Sequence, residues 1–342
     1  IAPTLPTSLL IASLPSLSDR QVVSLANKIS TKGLLKVTPH LDDKSFTRLV
    51  RSLPVEKLHE TLTSTASDLR RRIITHMPRE VVGRVVQKSP ALANEILASK
   101  PDYASTVAKA LTSRQLADFM NSNARMIDAL LPHVEEEKLT GVLRELKKET
   151  FTNVWRKLPA RHKTNTLTQL PIDKLRVAVN LTDTGVLSTV LPTLSDEQVT
   201  ILVDTLPVER LHKLTASLGD ESLTKILRKA DVDKVTRLVK MYRGGMLRRA
   251  FSMLPTERAI KIMERLGKGA VEVVGELSPE DIRRILPHMS KHALTAFSLN
   301  LTPDQARKIL PHLSRRALLH LLPNLKPDVL EKVVSHLSLI HI

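Results

Sequence analysis

Six basic residues stand at nearly equal intervals in the last third of the chain: Lys213, Arg237, Lys261, Arg284, Lys308 and Lys332 recur every 23 or 24 positions. Each immediately precedes an apolar residue, in turn Leu214, Leu238, Ile262, Ile285, Ile309 and Val333. Cations repeated at a structural period form a ribbon of charge if the period is that of a stacked repeat. Such a ribbon would hold a carboxylate-rich protein surface or a phosphate backbone. Around it the charge is dense, with Arg243, Arg248 and Arg249 close by in sequence and a second cluster at Arg70, Arg71 and Arg72. These twelve residues are the expected binding set. Upstream, Arg48 and Arg72 hold the ribbon position, but Glu95, Asp118, Gly141, Thr166 and Thr189 interrupt it.

Three histidines, His288, His312 and His336, also lie 24 apart. Successive helix layers are about 8–10 Å apart, too far for one ion held by ~2 Å Zn–N bonds. At the end of a short helix, a histidine instead meets loose carbonyls and the negative end of the helix dipole. Glu135, Glu136 and Glu137, like Asp42 and Asp43, are expected at helix starts, where carboxylates face the positive end. No cysteine occurs, and no phosphate-loop, dinucleotide, zinc-protease or nucleophile-elbow motif is present, so neither a catalytic residue, a metal nor a cofactor is expected.

The elements that must position these residues follow from self-similarity. Pro207, Pro255, Pro279, Pro303 and Pro327 fall on one 24-residue grid, with Asp231 in the vacant place. Each unit divides into halves of twelve: a polar cap, apolar residues three or four apart, then Leu-Pro or Leu-Ser. That is the rhythm of short amphipathic helices. Ser18 with Gln21, Thr112 with Gln115, Ser195 with Gln198 and Thr302 with Gln305 are spaced as capping boxes. Pro287 and Pro311 are expected to stop helices that begin about eight residues earlier. A helix of two turns is unstable alone in water, so stacking must supply stability. Ile309, Leu310, Leu313, Leu318, Leu321 and Leu322 are expected to form part of a shared apolar seam, and Gly244-Gly245 a turn between helices.

The expected fold is therefore all-α, an α-solenoid forming a right- or left-handed superhelix from about 13–14 two-helix repeats of ~24 residues, running without interruption from 8 to 337. Residues 1–7 read as a truncated start. Leu337–Ile342 matches the translation of a sequencing adapter, so 338–342 read as an adapter-derived tail. No apolar run is long enough for a membrane span.

The phrases LPVEKLHETL (53–62), LPVERLHKL (206–214) and LPTERAIKIMERL (254–266) resemble the short-helix repeats of the cytoplasmic N-terminal domain of MgtE-type magnesium transporters and, more distantly, of the motor-switch protein FliG. The resemblance implies a helical superhelix and, as an alternative function, a regulatory domain of a magnesium-transporter-like membrane protein. That family places carboxylates for magnesium, whereas 52 Lys and Arg against 35 Asp and Glu give this chain a formal charge of +17. A polyanion or an acidic protein is the partner this charge favours. Five Phe, two Tyr and one Trp provide no base-stacking platform, so contact with nucleic acid would be to phosphates and not sequence-specific. The reading is of a non-enzymatic binding scaffold, or failing that a structural spacer whose charge serves solubility.

Overall fold

The computed structural model describes residues 7–313 and 315–340, the side chains of residues 7, 125, 316 and 335–340 excepted. The chain is an all-α helical-repeat solenoid, and no strand occurs among the described residues. Its helices form two compact units, Ile1–Lys157 and Leu158–Ile342. Within each unit a helix packs chiefly on the one two places further along. Thus Val208–Ala216 lies on Val232–Met241, which lies on Thr256–Leu266, while Asp220–Lys229 lies on Gly244–Met253 in the alternate layer. Two layers of short helices enclose the apolar seam of each unit.

Local chemistry sets the helix lengths. All four expected capping boxes form, at Ser18, Thr112, Ser195 and Thr302. Pro279 and Pro303 occupy the first helical position, where the missing N–H costs nothing. Their α-helices close at Ile285 and Ile309, and Pro287 and Pro311 then sit in single 3-10 turns, Leu286–His288 and Leu310–His312, that end the run. Glu135 stands at the N-cap position, without a side-chain cap bond, of a helix whose first residues are Glu136 and Glu137. Asp42 accepts the Ser45 N–H at 2.9 Å, and that bond holds its carboxyl below the usual range.

The six apolar residues that follow the basic row, Leu214 to Val333, are all buried. Of the expected seam, Ile309, Leu310, Leu313 and Leu321 are buried, whereas Leu318 and Leu322 are half-buried. Gly244-Gly245 departs from expectation. The connection is Tyr242-Arg243, and the glycines are the first two residues of Gly244–Met253, with Gly244 at φ +53°. The final helix, Pro327–Ile340, runs through most of the segment read as a tail. Residues 1–6 and 341–342, and the side chains of Arg316 and His336, lie outside the described residues.

Candidate functional site

Counting from the first helical residue, N1, every member of the basic row is the sixth residue of its helix, N6. Residues Arg48, Arg72 and Arg249 hold N6 in other helices. Three N6 arginines bind the helix two places earlier. Arg48 reaches Leu17 O at 2.6 Å and Asp19 Oδ1 at 2.7 Å. Arg72 reaches Leu41 O and Asp43 Oδ1, both at 2.8 Å. Arg249 reaches Leu218 O at 2.7 Å and Asp220 Oδ1 at 2.6 Å. In each case the carboxylate is the N1 residue of that earlier helix and the carbonyl lies two residues before it.

Where N1 of the earlier helix is not a carboxylate, the N6 cation generally stays in solvent. Lys213, Arg237, Lys261 and Lys308 face Thr184, Val208, Val232 and Pro279 at N1. All four are exposed, and none has a hydrogen bond or ion pair among the described residues. Lys332 is exposed as well. Arg284 breaks the expected ribbon. Its guanidinium binds Phe251 O at 2.7 Å, Leu254 O at 2.8 Å and the buried Asp281 carboxylate at 2.8 Å, so it ties its own helix to the preceding layer.

The Arg70–Arg72 cluster also comes apart. Consecutive residues on a helix point about 100° apart, so three arginines in a row cannot share a face. Arg70 pairs with Glu95 at 2.5 Å, Arg72 lies over the Phe46 ring at 4.2 Å, and Arg71 is exposed. Arg243 is exposed but folds back on Lys240 O and Tyr242 O. Arg249 is committed as above, and Arg248 is exposed without a partner among the described residues.

A second set of cations had not been singled out from the sequence. It occupies N3, the Lys or Arg of the Leu-Pro-x-Glu-Lys/Arg phrase and its equivalents. Lys57 reaches Asn27 O and Ile29 O at 2.6 Å, and Lys138 reaches Lys109 O at 2.6 Å. Arg210 reaches Asn180 O at 2.7 Å and also Thr182 O. Lys234 bonds Val203 O and Asp204 O, and Arg258 bonds Arg228 O at 2.9 Å. All these acceptors belong to the last turn or C-cap of the helix three places earlier, the carbonyls that a helix leaves unsatisfied. The phrase therefore has a structural role here: its N3 cation pins one repeat to the opposite layer of the repeat before. Lys234 is buried at 9% exposure, and desolvation lowers its pKa. Arg258 fits less well. Its Nε and Nη2 are buried without partners, and burial pulls the guanidinium below its usual value against the pull of Asp231.

Ribbon and local cluster meet at one groove. A cavity of about 640 Å³ opens beside the start of Gly244–Met253, the corner between Ala270–Glu276 and Pro279–Ile285, and the end of Pro303–Ile309. Arg248 enters it from one layer, Arg307 and Lys308 from the other, above Leu277, Ile282, Pro279 and Pro311. Its carboxylate, Glu276, accepts the Gly244 N–H. Arg307 approaches Asp304 no closer than 3.9 Å. His312 lines the groove at the end of its 3-10 turn, and His288 ends the equivalent turn one repeat earlier. Among the described residues no three His, Asp or Glu side chains come together as metal ligands would. No described helix is long and apolar enough to cross a membrane.

No protein-family model matches the chain, and no curated protein matches it. Among solved structures, an engineered protein is 18% identical, with 99% of this chain and 92% of that one covered at a TM-score of 0.23. Kap121p bound to Nup53p is 14% identical at a TM-score of 0.18, with 96% of this chain covered. The chain spans 44% of the length of that protein. The α-solenoid assignment rests on the helices and packing described above.

Proposed function

We propose that the chain is a non-enzymatic scaffold that binds an acidic protein surface through the free N6 cations of Leu158–Ile342. One observation carries this reading: Lys213, Arg237, Lys261 and Lys308 hold the same helical position in helices of one unit, yet make no bond to another described residue, whereas N6 arginines opposite an N1 aspartate are tied down. Charges that serve packing find partners; these four have none among the described residues.

The surroundings favour a protein over nucleic acid. Each free cation has an exposed carboxylate four residues earlier, namely Glu209, Asp233, Glu257 and Asp304. This spacing supports the helix itself. It also intersperses the cations with carboxylates, which weakens attraction to the dense, continuous charge of a phosphate backbone more than to an acidic protein surface, whose carboxylates stand further apart and can each meet one cation. The test is retention on immobilised polyglutamate across a salt series. Changing Lys213, Arg237 and Lys261 together to Gln should lower the eluting salt concentration clearly without changing the melting temperature, and a duplex DNA matrix should retain the native protein less strongly than polyglutamate. Unchanged retention of the triple variant, or stronger retention on DNA, would reject the proposal.

A further inference from the structure

The groove at Arg248 differs from the open ribbon in having a floor. Three cations converge on it from helices some sixty residues apart in sequence, and two of them, Arg248 and Lys308, have no partner among the described residues. Glu276, which accepts the Gly244 N–H, is the carboxylate that lines it, so three cations against one carboxylate leave the rim with a net positive charge. Beneath lie Leu277 and Ile282, flanked by the exposed rings of Pro279 and Pro311. A volume of about 640 Å³ falls within the usual range for binding pockets. No Phe, Tyr or Trp lines it, which leaves the His312 ring and the guanidinium planes as the surfaces on which a base could stack.

We infer that this groove seats a short extended acidic peptide segment, with an apolar side chain on the floor between Pro279 and Pro311 and flanking carboxylates against Arg248 and Arg307. The inference rests on the protein-binding reading above and deepens it by naming what docks. Charge complementarity selects the flanks: a carboxylate takes a guanidinium in paired, planar hydrogen bonds, and the groove brings two guanidiniums together, whereas Arg237 stands between lysines in the open row. Burial of one aliphatic group against the floor supplies the non-ionic part of the affinity, and that part survives salt that weakens exposed ion pairs.

The experiment uses the full chain and a fluorescein-labelled Glu-Asp-Leu-Asp-Glu peptide, with Glu-Asp-Ser-Asp-Glu and a ten-nucleotide oligothymidine as competitors. Binding is read by anisotropy. The leucine peptide should bind at least threefold more tightly than the serine peptide. Substituting Arg248→Gln together with Arg307→Gln should weaken it at least tenfold, and the triple Gln variant at 213, 237 and 261 less than twofold. Arg248→Lys alone gives a second reading that keeps the charge: loss of the paired geometry should weaken binding about threefold. An equal loss in the groove and ribbon variants, equal affinity for the two peptides, or competition by oligothymidine at the peptide's own concentration would overturn the inference. The ribbon proposal is judged separately by the triple variant on polyglutamate, so either can fail while the other stands.

Discussion

Gly244 and Gly245 are neighbours with open space around the position of an added Cβ, yet they should respond oppositely to alanine. Gly244 has φ +53°, a conformation that costs an L residue roughly 1–2 kcal/mol, whereas Gly245 lies within the helix, where alanine is favoured over glycine by up to about 1 kcal/mol. Gly244→Ala should therefore lower the urea midpoint and Gly245→Ala raise it; the same sign for both would mean that the helix start differs from that described. Tyr242 gives a second residue-scale prediction. Its ring is buried and its hydroxyl bonds Thr215 Oγ1 at 2.8 Å, and burial pushes its pKa up to about 12 despite that bond. Above pH ~10 the unfolded chain loses this proton while the folded chain keeps it, so stability falls as pH rises from 10 to 12. Between pH 9 and 11 the native protein should lose about 1 kcal/mol more than Tyr242→Phe does. Equal losses in denaturant titrations at the two pH values would contradict the assignment.

At the scale of the helix, the N3 pins make a prediction that exposed lysines do not share. Arg210→Met removes the charge-assisted bonds to the carbonyls of Asn180 and Thr182 and should cost about 1–3 kcal/mol. Lys213→Met, three residues on and exposed, should stay within about 0.5 kcal/mol. Arg258→Met should cost less than Arg210→Met, because two of the nitrogens it removes are buried without partners. Chemical denaturation of the three variants orders them; a cost for Arg258→Met equal to that of Arg210→Met would show that its orphan nitrogens carry no penalty.

Much at this scale was legible in the sequence. The capping boxes, the proline grid and the six inward apolar residues are local patterns, and local patterns fix short helices. The pins were not recognised because their partners are backbone carbonyls about thirty residues away, which carry no side-chain signature. The signal that could have found them was a cation three residues after each helix cap. Alignment on the inward apolar residue instead brought out N6. That row mixes free and committed cations, although Asp19, Asp43 and Asp220 at N1 mark three of the N6 arginines that are held. The Arg70–Arg72 cluster misled for a simpler reason: density along the chain is not density on a helix face.

Over the whole molecule, the formal charge of +17 divides into cations that hold helices together and cations that face water. Net charge alone could not separate them, and the groove joins Arg248 to Lys308 across sixty residues that no local pattern links. The division can be read lysine by lysine. Under limiting amine acetylation followed by peptide mass spectrometry, the exposed Lys213, Lys261 and Lys308 should react quickly, and Lys57, Lys138 and Lys234, held on helix ends, slowly. Added polyglutamate should then protect Lys213, Lys261 and Lys308 and leave the slow three unchanged. Equal reactivity of the two sets, or polyglutamate protection spread evenly over all the lysines, would contradict the separation of pinned from free charge on which the proposed binding face depends.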